Sequence, residues 1–107
     1  MFRSLQNKGF HLVFENGYTV SVQFGPYNYC EHYDSETPSK LPWQEREWES
    51  RDAEVAVWTG KTMDWKTKEV FEELFNEEIG DDVVGRLSAE KVASILIFVK
   101  QLEKGEL

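Results

Sequence analysis

The sequence has little of what catalytic, metal-binding or disulfide-stabilised proteins use. It contains one cysteine, Cys30, and two histidines, His11 and His32, among 107 residues. Because one cysteine cannot form an internal disulfide, we expect a reducing, cytoplasmic compartment. A zinc site needs about four ligands, and no second cysteine or histidine cluster supplies them. Glycine-rich phosphate loops and Cys-x-x-Cys pairs are also missing, so we expect no metal, no cofactor and no enzymatic activity.

Long apolar segments and positive charges are also scarce. No run of about 18 apolar residues occurs, so we expect no membrane-spanning helix. The first stretch, MFRSLQNKGFHL, lacks the continuous apolar region of a signal peptide. Lysine and arginine number 12 against 20 aspartates and glutamates, a net charge of −8. Such a chain gains nothing from counterion release, so we expect neither a nucleic-acid polymer nor a membrane as partner.

The clearest local pattern is a β-hairpin over residues 9–25, GFHLVFENGYTVSVQFG. Asn16-Gly17 is typical of a two-residue type I′ turn, in which both central residues take positive φ. That turn would place Val13 opposite Val20. A core face would then carry His11, Val13, Tyr18, Val20, Val22 and Phe24. A mixed face would carry Phe10, Leu12, Phe14, Thr19, Ser21 and Gln23.

The downstream patterns predict further strands and then two helices. Residues 53–60 alternate as a strand, and residues 62–66 form a short one. Residues 67–80 predict a helix that ends near Gly80, followed by the extended segment DDVVGRL. Strands first and helices last predict one α+β domain over residues 1–107. The expected fold is a small antiparallel sheet that starts with a β-hairpin and packs against two carboxyl-terminal helices.

The last helix carries more apolar side chains than one stripe needs. We expect Ser88 to cap its start and Gly105 to end it. Its apolar stripe is Val92, Ile95, Leu96, Val99 and Leu102. Ile97 and Phe98 widen that stripe, which favours a homo-oligomer in which a second subunit covers the helix.

The long connection at residues 25–52 contains all three prolines and many charged and aromatic residues. A connection of this length is unusual in a compact domain unless it binds something or is mobile. Aromatic rings can stack on a flat ligand, amides can bond the edge of a base, and arginines can hold phosphate. The candidate ligand-binding residues are Gln23, Tyr27, Asn28, Tyr29, Arg46, Arg51 and Trp58.

Three segments, NKGFHLVFENGYTVSVQFGPYNYC, AEVAVW and GRLSAEKV, resemble a family of small bacteriophage proteins with a TVSVQxGxxNYC segment. The resemblance covers about half the chain and not residues 31–50. Small phage proteins of this kind include anti-CBASS sponges, so the resemblance implies an immune-evasion protein of the host cytoplasm. Its implied partner is a small nucleotide, a cyclic dinucleotide in particular, which it would sequester without turnover.

An alternative function also fits the acidic composition. The protein could inhibit a host enzyme as an acidic interaction protein, by surface or nucleic-acid mimicry. That function needs carboxylates spaced along one surface, such as Glu45, Glu47 and Glu49, and no pocket. The two functions predict different sensitive residues, which makes them separable by mutation.

Overall fold

The computed structural model describes residues 1–4, 9–25 and 50–107. In these ranges the chain forms six strands and two helices. The elements are β1 (Phe2–Ser4), β2 (Gly9–Val13), β3 (Tyr18–Gln23), β4 (Asp52–Thr59), β5 (Asp64–Trp65), α1 (Thr67–Phe75), β6 (Val83–Ser88) and α2 (Ala89–Gln101). The antiparallel sheet has the order β1-β2-β3-β4, and the outer edge of β4 pairs with both β6 and β5. The predicted α+β fold is therefore confirmed. The sequence pattern does not predict β1.

Both helices pack on one face of the sheet, and the core lies between that face and the helices. Alternate residues of β3 and β4 point toward the helices, as the period of two requires. The buried apolar residues are Tyr18, Val20, Val22, Ala53, Val55, Val57, Val70, Phe71, Leu87, Val92, Ile95, Val99 and Leu102. The predicted stripe of α2 is confirmed, although Leu96 is only partly buried. No described helix packs on the opposite face of the sheet, which we call the helix-free face.

The β2–β3 hairpin differs by one residue from the predicted register. Its loop holds three residues, 15–17, because the backbone N–H of Phe14 donates to the carbonyl of Tyr18 (2.9 Å). Val13 consequently lies opposite Thr19. A three-residue loop that ends in a glycine at positive φ is the next most common hairpin connection after the two-residue turn. The predicted two-residue loop is therefore wrong.

This one-residue difference moves the side chains of β2 to the other face of the sheet, since successive residues alternate between faces. His11 and Val13 lie on the helix-free face and not on the core face. Phe10 and Phe14 lie on the helix side, where they pack against the core. The predicted assignments of β2 residues to faces are therefore wrong, whereas those of β3 residues are confirmed.

The side chain of Asn16 explains the longer loop. Its Nδ2 donates to the carbonyls of Val99 and Leu102, both at 2.8 Å, and its Oδ1 accepts from the N–H of Tyr18 at 3.1 Å. Within the loop only Gly17 takes positive φ, at 91°. Asn16 therefore supplies donors to carbonyls at the end of α2, where a helix leaves carbonyl groups short of intrahelical partners.

Both helices end earlier than the sequence predicts. Helix α1 ends at Phe75, because Asn76 takes the left-handed conformation (φ 54°) that terminates helices, and it does not extend to Gly80. Helix α2 ends at Gln101, four residues before the predicted Gly105. The predicted ends rest on Gly80 and Gly105. In the structure Asn76 ends α1, and the side chain of Asn16 bonds to carbonyls at the end of α2.

Hydroxyl side chains hold the starts of both helices. Ser88 Oγ accepts from the N–H of Lys91 at 3.2 Å, so the predicted cap of α2 is confirmed. Thr67, fully buried at the start of α1, accepts from the N–H of Val57 at 2.9 Å. Its hydroxyl lies 2.6 Å from the carbonyl of Asp82, to which it donates. Thr67 thereby gives the backbone N–H of Val57 a partner. Val57 lies between the part of β4 that pairs with β6 and the part that pairs with β5.

Candidate functional site

The helix-free face carries an aromatic cluster centred on Trp58. The ring of His11 meets Trp58 edge-on, with centroids 5.0 Å apart and an interplanar angle of 83°. Strand β5 places Trp65 opposite Trp58, with centroids 5.6 Å apart and an angle of 74°. Such edge-to-face pairs fix the orientation of each ring. The cluster therefore offers a preorganised aromatic surface on a rigid sheet.

A cleft lies beside this cluster. Its volume is about 620 Å³, within the range of small-molecule sites. It is lined by Arg3, His11, Val13, Gly17, Thr19, Trp58, Gly60, Lys61 and Met63. Two of these residues are cationic, one is an imidazole and none is acidic. In a chain of net charge −8, the described lining is locally positive.

The secondary structure brings the basic side chains together from three places in the chain. Arg3 on β1 lies opposite His11 on β2, and the turn after β4 supplies Lys61. Burial lowers the pKa of His11 below its ordinary value of 6.5, and the charge of Arg3 lowers it further. A neutral imidazole can donate one hydrogen bond and accept another. His11 can therefore contact either a polar edge or an anion.

The central residues of the helix-free face are polar and buried. Ser21 is 7% exposed, and its Oγ accepts from Gln23 Nε2 at 3.0 Å. Gln23 lies opposite Glu54, and the close approach of Gly9 fixes its backbone. No described helix packs on this face, and Ser21 and Gln23 satisfy their polar groups by bonding to each other.

The structure describes three of the seven predicted site residues and does not bring them together. Trp58 lines the cleft. Gln23 lies on the same face as Trp58. The strand partner of Trp58 is Thr19, and Gln23 lies four residues from Thr19 along β3, a separation of about 13 Å at strand geometry. Arg51 lines a different cavity on the helix side of the sheet. The other predictions, Tyr27, Asn28, Tyr29 and Arg46, lie outside the described residues.

Sequence reasoning missed Arg3, His11 and Lys61 as site residues. The three-residue strand β1 is too short to leave a pattern, so nothing indicated that Arg3 would reach β2. His11 was assigned to the core because of the incorrect register. A signal for Lys61 existed in the Gly60-Lys61 turn beside Trp58, since turns after a sheet strand commonly carry binding residues.

The helix-side cavity is a groove of about 580 Å³ between α2 and the ends of β3, β4 and β6. Its lining is mostly apolar and includes Val22, Phe24, Leu87, Val92 and Leu96. Among the described lining residues, polar groups enter from residues 50–52. This composition suits an apolar contact rather than a phosphate.

Within residues 1–4, 9–25 and 50–107, no group of three or more His, Cys, Asp or Glu side chains could hold a metal ion. No helix in these ranges is both long and apolar enough to cross a membrane. No protein-family model matches the chain, and no curated protein or solved structure matches it significantly.

Proposed function

We propose that the protein binds a small, planar, anionic ligand of the nucleotide class in the cleft on the helix-free face and does not convert it. The observation that carries this proposal is the combination of Trp58 with Arg3, His11 and Lys61 in one cleft, whose described lining contains no carboxylate. Aromatic side chains that stack on bases, beside cations that meet phosphates, are the usual components of such sites.

The surroundings of His11 support binding rather than catalysis. A histidine that acts as a general base is usually oriented by a carboxylate. Among the described residues, the neighbours of His11 are Arg3, Trp58 and, across the strands, Ser21. Ser21 Oγ is hydrogen-bonded to Gln23 and is nearly buried. The described face therefore offers no activated nucleophile.

The biological role that we propose is sequestration of a cyclic-nucleotide signal, as in phage-type immune evasion. The resemblance to small phage proteins supports this role, and the cleft supports the ligand class. A sponge needs affinity and capacity but no turnover, which agrees with a rigid aromatic and basic surface.

Titration calorimetry with mono-, di- and cyclic dinucleotides tests the ligand class. We expect measurable heat with at least one nucleotide, and weaker binding by Trp58→Leu, since a stacking contact contributes about 1–3 kcal/mol. Lys61→Glu should weaken binding roughly fivefold to tenfold, more at low salt. Gln23→Ala should weaken it only if the ligand extends along β3.

A matched control separates the cleft from the overall charge. Lys68→Glu makes the same charge change on an exposed residue of α1, on the other side of the sheet, and should leave affinity unchanged. If the wild-type protein gives no heat with any nucleotide, or if the two lysine variants weaken binding equally, the proposal is wrong.

A second candidate function is inhibition of a host enzyme by an acidic surface. One observation favours it: residues 67–82, which form α1 and the turn after it, carry seven carboxylates against one lysine. Only Glu77 among them forms an ion pair in the described structure, with Lys91 at 2.9 Å. The sequence-predicted Glu45, Glu47 and Glu49 lie outside the described residues. If this function is correct, Glu72→Lys with Glu73→Lys abolishes activity and Lys61→Glu does not.

A further inference from the structure

Strand β1 forms one edge of the sheet and leaves a row of backbone groups without partners. Met1 exchanges two hydrogen bonds with Val13, each 2.8 Å long, so Met1 and Arg3 direct their backbone groups toward β2. The N–H and C=O groups of Phe2 and Ser4 therefore point away from the sheet. No described residue bonds to them. Such an edge is a template for another strand.

The same edge exposes large apolar side chains. Phe2 is 82% exposed and Met1 is 65% exposed. Phe2 lies on the helix side of the sheet, because its partner Leu12 pairs with the core residue Val20. Neither helix makes extensive contact with β1 or β2. Another strand that pairs with this edge would bury the exposed phenylalanine and satisfy the outward-pointing backbone groups together.

We propose that β1 pairs antiparallel with β1 of a second copy of this chain. A two-fold axis at Arg3 places Phe2 opposite the partner subunit's Ser4, and this pair exchanges two hydrogen bonds. The two-fold axis generates a second, identical pair from Ser4 and the partner subunit's Phe2, so the two strands share four hydrogen bonds. Because serine is small, each Ser4 leaves room for the partner's Phe2. The edge is therefore complementary to itself.

The charge distribution favours a second copy in this position. The acidic segment, residues 67–82, begins with α1, which packs over β4. Strand β4 lies three strand spacings from β1, about 14 Å. The edge formed by Phe2–Ser4 carries no carboxylate. Two copies of the chain can therefore meet here with this acidic segment of each copy placed away from the shared edge.

The pairing also changes the cleft. Arg3 lies on the helix-free face and lines the cleft, and the two-fold axis brings it opposite the partner subunit's Arg3, with Cα atoms about 4.5 Å apart. Like charges directly opposite on neighbouring strands repel. A phosphate-bearing ligand that lies between the two clefts should therefore strengthen the dimer, because its negative charge offsets this repulsion. This prediction rests on the proposed function.

Sedimentation velocity over a concentration series tests the pairing. Ser4→Pro removes only an outward-pointing N–H, and proline is tolerated on sheet edges, so the fold should persist. We expect self-association to weaken roughly thirtyfold, because the dimer loses two hydrogen bonds. Ser4→Ala keeps the N–H and should associate like the wild type. Urea denaturation at low concentration confirms that each variant is folded.

A wild type that sediments as a monomer at all concentrations, with and without inorganic phosphate, would overturn the proposal. So would equal association of the Ser4→Pro and Ser4→Ala variants. Arg3→Gln should strengthen the dimer and remove its response to phosphate, and an unchanged response would contradict the role of Arg3. Lys61→Glu separates the two proposals, because it should reduce nucleotide binding without changing the β1 pairing.

Discussion

At the scale of single residues, Asn16 shows how one side chain sets the geometry of a hairpin. The dipeptide Asn16-Gly17 correctly predicts a turn but not its length. The length follows from a contact with α2, 83 residues away at Val99, which no local pattern contains. Gly17 takes the positive φ, and Asn16 is free to cap the helix.

Substitutions at Asn16 distinguish this cap from a type I′ turn. Asn16→Ala removes two hydrogen bonds to carbonyls at the end of α2 and should destabilise the fold by about 1–2 kcal/mol. Asn16→Asp should cost more, because a carboxylate cannot donate and repels the negative end of the helix dipole. Urea denaturation measures both. Aspartate suits a type I′ turn almost as well as asparagine, so equal stability of wild type and Asn16→Asp would contradict the capping role.

At the scale of whole elements, local periodicity predicts which segments are strands and helices but not how they pair. The alternation of β4 and the spacing of α1 and α2 depend only on neighbouring residues, and their existence is correctly predicted. The face on which β2 presents His11 depends on the hairpin register, which a distant contact sets. Trp58 could be predicted as a site residue, whereas Arg3 and Lys61 enter the cleft only through the arrangement of β1 and a turn.

Gly9 fixes the separation between β2 and β3. It has φ 156°, and a Cβ at this position would overlap the carbonyl oxygen of Val22 and lie 2.8 Å from the Cα of Gln23. Gly9→Ala should therefore force the strands apart and cost about 2–3 kcal/mol. The unfolding free energy in urea measures the loss.

Gly60→Ala is the matched control for Gly9→Ala. Gly60 also takes positive φ, at 75°, but no atom lies within 4 Å of a Cβ built there. Gly60→Ala should lower the unfolding free energy only by the cost of holding alanine at positive φ, about 1–2 kcal/mol. If the two variants are equally stable, the close approach at Gly9 does not constrain the sheet.

At the scale of the whole molecule, the net charge does not describe the site. The acidic excess is concentrated in part of the chain, with residues 67–82 alone carrying seven carboxylates against one lysine. The described cleft residues include Arg3 and Lys61 and no carboxylate. Composition alone therefore does not locate the basic cleft.

The basic surroundings of His11 also give the fold a predictable response to acid. Among the residues that the structure describes, the charged groups around it are Arg3 on β1 and Lys61 after β4, while Ser21 and Trp58 face it from β3 and β4. Burial and Arg3 lower the pKa of His11 in the folded protein below the ordinary 6.5, so the unfolded chain binds this proton first as the pH falls. Stability should consequently decrease as the pH drops from 6.5 to the lowered folded value, and this contribution should level off below it.

His11→Asn isolates that contribution, because the carboxylates are the same in both proteins. Asparagine keeps a polar group of similar reach beside Trp58 but binds no proton. The difference in unfolding free energy, wild type minus variant, should be constant above pH 6.5 and should fall below it. Urea denaturation across a pH series gives this difference directly. If the two stability curves run parallel through this window, His11 has the same pKa in the folded and unfolded chains, and the cleft is less basic and less buried than its geometry indicates.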